Sequence, residues 1–260
     1  MQHQGGGGSV FHFPLRTHRR GTGASQGTYS VLPFQNLRNW HWFFEDFIGD
    51  ALDEDEHPLA VYDASASGTP TLDIVADAVG GQYQIQLANT NEAETAGLTF
   101  GGQLFLRGNR PFYFETRLKQ VNTMAANQVL VWGLASDVDT TTLDNLTRNL
   151  WFRLDADSDL LIEADDNTTD QDDKDTGFNV TADTFYIYSI ERGVDGTVYF
   201  SKADGNGENR KTWTLSKTFG GSEPSFSTNN LQPVILAQKS TGTTQPEIVV
   251  DYVLVGGERV

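Results

Sequence analysis

Short apolar runs, each closed by glycine, asparagine or aspartate, follow one another from about residue 40 to the end of this chain. Residues 71–75 and 83–87 alternate polar and apolar around Gly80-Gly81. Residues 112–118 alternate with Phe112, Phe114, Thr116 and Leu118 on one face. Residues 129–134 are continuously apolar, as a strand buried on both faces should be. Residues 150–154 and 160–163 flank the turn residues 155–159, and residues 185–190 and 197–200 flank Val194-Asp195-Gly196, a hairpin signal. Residues 97–100 and 103–106 read as a further pair around Gly101-Gly102, and residues 233–237 and 248–255 as the closing strands. An aromatic strand, residues 40–47, opens the series, and an acidic loop, residues 50–56, follows it. The only helical candidate is a single polar turn within residues 140–149. About a dozen closely spaced strands predict an all-β sandwich or barrel. No linker interrupts them, so residues 39–260 read as one β-sandwich domain behind an extended arm, residues 1–38.

That arm differs sharply in charge from the sandwich domain. No acidic residue occurs before Glu45, whereas the arm holds Arg16, Arg19, Arg20 and Arg38. Taking those four from the 18 basic residues leaves 14 against 35 acidic ones in residues 45–260, a net of −21. The arm is rich in glycine and lacks any strand period before about Tyr29. Its run Gly5-Gly-Gly-Gly-Ser9 has the composition of a linker. A basic, flexible composition ahead of an acidic body is the pattern of a tether that grips a neighbour. The acidic body would repel phosphates, which argues against nucleic acid as its direct partner. Cysteine is absent, excluding disulfides and thiolate chemistry. No stretch approaches the ~20 apolar residues of a membrane helix, and the first residues lack the apolar core of a secretory signal.

Candidate chemical sites are few. Glycoside hydrolysis needs two carboxyl groups flanking the scissile bond, and on a strand residues i and i+2 share a face and can supply such a pair. Glu115 stands alone on its strand, Glu45 and Asp46 are adjacent and diverge, and Glu163 ends an apolar run. The expectation is therefore that the chain is not an enzyme. Asp155-Ala-Asp-Ser-Asp159 alternates carboxylates but has Leu160 and Asp166 where a calcium loop needs glycine and glutamate. It reads as a polar hairpin. The run Asp165, Asp166, Asp170, Asp172, Asp173 and Asp175 reads as a solvated acidic loop. No metal site and no cofactor are expected. Trp132, Tyr199, Trp213 and Tyr252 are expected in the core.

The order of elements resembles a known family. Glu45-Asp46-Phe47 after an aromatic strand, the Gly80-Gly81 hairpin, Phe114-Glu115-Thr116-Arg117, Trp132-Gly133-Leu134, the Asp195-Gly196 hairpin and Val250-Asp251-Tyr252-Val253 carry the likeness. Over residues 38–258 the chain resembles the concanavalin A-like (laminin G-like) jelly roll, a two-sheet sandwich. Within it, the chain is most similar to virion proteins of tailed bacteriophages that decorate or cement the capsid. The resemblance implies a structural role on the capsid exterior, as a homo-oligomer contacting the major capsid protein and neighbouring copies of itself. The arm would supply that contact, with Phe11, Phe13, Leu15, Val31, Leu32, Phe34 and Leu37 as apolar anchors and Arg16, Arg19 and Arg20 pairing with acidic surface. The same sandwich also serves lectins, so a carbohydrate-binding module is the second reading.

Overall fold

The computed structural model describes residues 40–48, 52, 58–103, 106–138, 142–156, 158–219, 224–226 and 230–258. All belong to one compact unit, Asn39–Val260. The arm, including Phe11, Phe13, Leu15, Arg16, Arg19, Arg20, Val31, Leu32, Phe34 and Leu37, lies outside the described residues.

The chain forms β1 (Trp40–Glu45), β2 (Ala60–Asp63), β3 (Thr71–Ile74), β4 (Tyr83–Gln86), β5 (Glu94–Thr99), β6 (Leu106–Arg107), β7 (Phe112–Gln120) and β8 (Gln128–Ala135). There follow β9 (Asn149–Leu154), β10 (Asp159–Asp165), β11 (Asp170–Asn179), β12 (Tyr186–Arg192), β13 (Val198–Asp204), β14 (Lys211–Thr214), β15 (Asn230–Lys239) and β16 (Glu247–Glu258). Two eight-stranded antiparallel sheets result. Sheet A runs β14-β13-β12-β7-β16-β4-β3, with β1 also on β16. Sheet B runs β11-β10-β9-β8-β15-β5-β2, with β6 also on β15. This is the all-β sandwich that the strand pattern predicts. The polar segment expected to turn once does so as a 3-10 turn, Leu143–Asn145.

Local chemistry explains the pairing. Gly80, Gly81 and Gly196 adopt positive φ, as tight hairpin turns demand, and join β3 to β4 and β12 to β13. The alternation of β7 is strict, with Phe112, Phe114 and Leu118 inward and Tyr113, Glu115 and Arg117 outward. Along β8, Leu130, Trp132 and Leu134 enter the main core while Val131 and Ala135 join a second apolar cluster on the outer face of sheet B. The continuous apolar run is thus buried on both sides. Among the described residues the hairpin expected around Gly101-Gly102 is not seen, and β5 and β6 each pair with β15 instead.

The main core lies between the sheets. Trp132 and Phe152 of sheet B meet Tyr188 of sheet A with ring centroids 4.8 and 5.2 Å away, and Phe152 meets Phe200 edge-on at 5.4 Å. Trp132 and Trp213 are core residues as expected. Tyr252 and Tyr199 are not. A bulge in β16 between Val250 and Tyr252 reverses its parity, so that Val253 and Val255 face inward and Tyr252 faces outward. Tyr199 lies between inward Val198 and Phe200 and is only half-buried.

Among the described residues two lysines are buried, and both tie strands together. Lys202 lies over the rings of Phe178 and Tyr186 at 3.9 and 4.2 Å and bonds Asp204, which ties β11 to sheet A. Lys239 and Glu94, directly opposed on β15 and β5, form a fully buried ion pair at 3.1 Å. The Lys239 ammonium also donates to the carbonyls of Ala88 and Thr90. The Glu94 carboxylate accepts the Ala88 N–H. This pair therefore holds the connection between β4 and β5.

Candidate functional site

The acidic run after β10 is a strand, not a loop. Asp165 and Asp166 form the turn, with their carboxylates accepting the N–H groups of Asn167 at 2.6 Å and of Thr168 and Thr169 at 2.9 and 2.7 Å. The chain then returns as β11, an edge strand of sheet B whose ladder to β10 stands without an apolar pattern. Ile162 pairs with Lys174 and Ala164 with Gln171, so Glu163 faces both Asp172 and Asp173 across a bulge. Asp173 occupies that bulge at φ 44°, a conformation aspartate tolerates better than most residues.

The extent of β10 changes the reading of Glu163. The strand continues to Asp165, so Glu163 and Asp165 share the outer face and are not isolated from each other. On neighbouring β9, Asn149, Trp151 and Arg153 share the same face by alternation. Glu163 is 6% exposed. Its carboxylate accepts from the Asn149 amide at 2.7 Å and from Arg153 at 3.3 Å. Burial pushes Glu163 up to about 7, against the opposing influence of Trp151, Arg153 and Asn149.

Arg153 is the hub. Its guanidinium contacts Asp155 at 3.0 Å, Glu163 at 3.3 Å, Asp173 at 3.5 Å, and Asp144. Burial opposes its charge, but Asp155 and Asp144 outweigh that and raise its pKa. Asp144 is aimed here because Leu143 and Leu146 seat the 3-10 turn on the outer apolar cluster of Val131, Trp151, Val234 and Leu236. The Ser136 N–H donates to the Arg148 carbonyl at 2.9 Å and closes that segment at its base.

Two hollows meet at this hub. The first, about 240 Å³, is lined by Asp144, Leu146, Arg153, Glu163, Asp165, Asp170, Asp172 and Asp173. The second, about 410 Å³, also contains Asp144 and Arg153 and extends past Asp155, Val129, Asn127, Gln128, Gln238 and Ser240. The two hollows adjoin on the outer face of sheet B, with the Asp144–Arg153 ion pair in the wall of both. Oxygen atoms of Glu163, Asp172 and Asp173 come within 4.8 Å of one another, so these are the residues that could hold a hard cation. Asp155 and Asp159 bond Arg153 and Asn179, and Asp157 lies outside the described residues. The turn between β9 and β10 is thus the polar hairpin expected of it.

The raised Glu163 pKa gives a pH dependence with a definite sign. The folded state binds this proton more tightly than the unfolded chain, so the Glu163 contribution to stability is full below about pH 4.5 and is lost as pH rises through about 7. At ~1.4 kcal/mol per pKa unit the effect is about 3 kcal/mol. Glu163→Gln should therefore exceed the native chain in stability at pH 8, and the difference should vanish near pH 4.5, as denaturant melts at the two pH values would show.

Sheet A carries a second polar and aromatic region on its outer face. Glu115 accepts hydrogen bonds from the hydroxyls of Tyr113 and Tyr252, the latter at 2.8 Å, and lies 3.6 Å from Arg210. Burial and the Glu115 charge raise the pKa of both tyrosines. Sequence reasoning singles out Glu115 only as a lone acid, and passes over Arg153, Asp144 and Asn149 entirely.

No protein-family profile and no curated protein sequence matches the chain. Among solved structures, a Shewanella oneidensis MR-1 protein of unknown function is similar at TM-score 0.59 and 10% identity, covering 91% of this chain and 97% of that one. A Lotus tetragonolobus seed lectin is similar at TM-score 0.52 and 11% identity, covering 85% of this chain and all (100%) of the lectin. At these identities the likeness is one of fold, and it places the sandwich in the concanavalin A-like jelly-roll class.

Proposed function

We propose that the chain is a non-catalytic carbohydrate-binding protein whose groove on sheet B takes a neutral sugar chain. The groove itself carries this reading. Its two adjoining hollows, about 240 and 410 Å³, have room for sugar rings, and their walls are dense in carboxylate and amide oxygens. Such oxygens accept hydrogen bonds from sugar hydroxyls, while Arg153 and the side-chain amides donate. The carboxylates outnumber Arg153, so the field excludes phosphates, uronates and sialylated chains. A seed lectin shares the fold, which is compatible with this role without establishing it. On an array of neutral and acidic glycans, binding is expected to fall on neutral chains alone. Retention of acidic chains only would reject the reading.

Catalysis is not part of this proposal, although Glu163 and Asp165 have the spacing of a glycanase pair. Glu163 is buried and bonded to Asn149 and Arg153, and Asp165 accepts the Asn167 N–H of its own turn. Both line the first hollow, but their oxygens are already engaged in these bonds, which counts against acid–base work on a bound sugar. Neutral β-glucans and other oligosaccharides should remain intact on prolonged incubation. Turnover that disappears in Glu163→Gln would make the chain an enzyme.

A second reading, compatible with the first, is favoured by the segregation of charge along the sequence. An arm with four arginines and no acid ahead of an acidic body suits a capsid decoration protein anchored by its N-terminus on the exterior of a phage shell. Surface charge pairs are screened over ~8 Å at physiological salt. Occupancy on empty shells should thus fall with added salt, drop in the Arg16→Ala, Arg19→Ala, Arg20→Ala triple variant, and disappear without residues 1–38. Salt-independent binding that survives the truncation would exclude the arm as anchor.

A further inference from the structure

The two hollows on sheet B differ in what their walls offer. Apart from Leu146, the first is lined by carboxylates and Arg153. The second shares Asp144 and Arg153 with it but adds Ala93, Ala126, Val129 and Ala156. Val129 is half-buried on β8, packs on the outer apolar cluster of sheet B, and lies directly across from Gln238 of β15. Alternation puts Val129 and Val131 on the same face, and Val131 is a member of that cluster. The Val129 methyls therefore belong to the floor of the second hollow, which is the sheet itself.

The polar groups beside this floor are already engaged. The Gln238 amide donates to the Thr95 hydroxyl at 3.0 Å, and its carbonyl accepts the Leu143 N–H at 3.5 Å. The Gln128 carbonyl accepts the Ala125 N–H at 2.9 Å, and its amide donates to the Thr244 carbonyl at 2.8 Å. The Asn127 amide donates to the Thr241 carbonyl. Lys239 directs its three protons to Ala88, Thr90 and Glu94. Asp144 and Arg153 stand where the hollows adjoin, with Asp155 bonded to Arg153. Thr142 and Ser240 are exposed and bring their hydroxyls to the rim. A ligand hydroxyl pressed onto the floor would lose its water without gaining a partner, which is costly. A methyl group would incur no such cost and would gain contact with Val129 and the alanines.

We infer that the second hollow is the subsite for a methyl-bearing sugar, a 6-deoxyhexose or an N-acetylhexosamine, and that it disfavours the parent hexose, which brings a hydroxyl to the same place. This selectivity rests on the carbohydrate reading of the groove. It also gives the bound chain a direction. The hydroxyl-rich end lies among the carboxylates of the first hollow, and the methyl-bearing residue lies over Val129.

Matched pairs of sugars test the inference. L-Rhamnose is titrated against L-mannose, and N-acetylglucosamine against glucose. The methyl-bearing member is expected to bind roughly tenfold more tightly or better in at least one pair, the scale of one well-packed methyl. The pair that shows the preference identifies the source of the methyl. Val129→Thr keeps the shape of the floor but adds a hydroxyl to it. It should cut the preference to about threefold or less, with the melting temperature within a few degrees of the native value. Asp172→Ala, in the first hollow, should weaken both members of a pair alike and leave their ratio unchanged. Equal binding within both pairs, a preference for the parent hexoses, or a preference undiminished by Val129→Thr would each overturn the inference and leave the carbohydrate reading standing. Absence of binding to every neutral sugar would remove that reading and the inference with it.

Discussion

Trp132→Ala is expected to cost about 3–5 kcal/mol, a large part of the ~5–15 kcal/mol that holds a domain together. Trp132 is 1% exposed on β8, and its ring is 4.8 Å from that of Tyr188 across the sandwich and 6.2 Å from that of Phe152 beside it. Truncation removes the contact between the sheets and leaves a void that these stiff strands cannot close. The Trp132 indole N–H has no hydrogen-bond partner among the described residues. Trp132→Phe therefore loses volume without orphaning a polar group and should cost much less than the alanine variant. Calorimetric or denaturant melts would separate the two. Equal destabilisation by both would mean that the indole makes an interaction the geometry does not show.

Lys239→Met should be comparably severe, at about 3–5 kcal/mol, because it strands a carboxylate in the interior. Lys239 and Glu94 are both 0% exposed. The Ala88 N–H still reaches the Glu94 carboxylate at 3.0 Å, but one amide cannot replace a cation. Removing the second charge as well, in Lys239→Met with Glu94→Leu, should recover a substantial part of the loss. Failure of the double variant to recover would show that the ammonium's bonds to Ala88 and Thr90 matter more than the charge pairing. A double-mutant cycle in urea gives the coupling directly.

The fold is legible where periodicity and turn chemistry agree. The hairpins at Gly80-Gly81 and Asp195-Gly196, the alternation of residues 112–118 and the doubly buried run 129–134 all fall where the pattern puts them. Three features escape it for physical reasons. Asp-Gln-Asp-Asp-Lys-Asp has neither apolar alternation nor β-propensity, and becomes β11 only because the Asp165-Asp166 turn returns it along β10. The bulge in β16 has no signature in a β-branched stretch, so alternation alone puts Tyr252 on the wrong face. Short strands such as β2 (Ala60–Asp63) and β14 (Lys211–Thr214) are held by neighbours rather than by their own sequence.

The site is harder to read than the fold. Glu163 and Asp165 carry the i, i+2 spacing in plain view, but only the true extent of β10 shows that it counts. Arg153 lies within an apolar strand, and Asp144 reaches it only through the packing of Leu143 and Leu146 on the outer face of sheet B. Convergence of this kind comes from sheet order and one seated loop, neither of which is encoded locally.

Titration calorimetry with a neutral oligosaccharide chosen from the array tests the proposed groove most directly. Asp172 is exposed at the bulge and lines the first hollow, so Asp172→Ala should leave the fold intact. The native chain is expected to bind, and Asp172→Ala to bind at least tenfold more weakly at an unchanged melting temperature. Binding equally strong in both, or no heat with any neutral sugar, would contradict the assignment of this groove to carbohydrate.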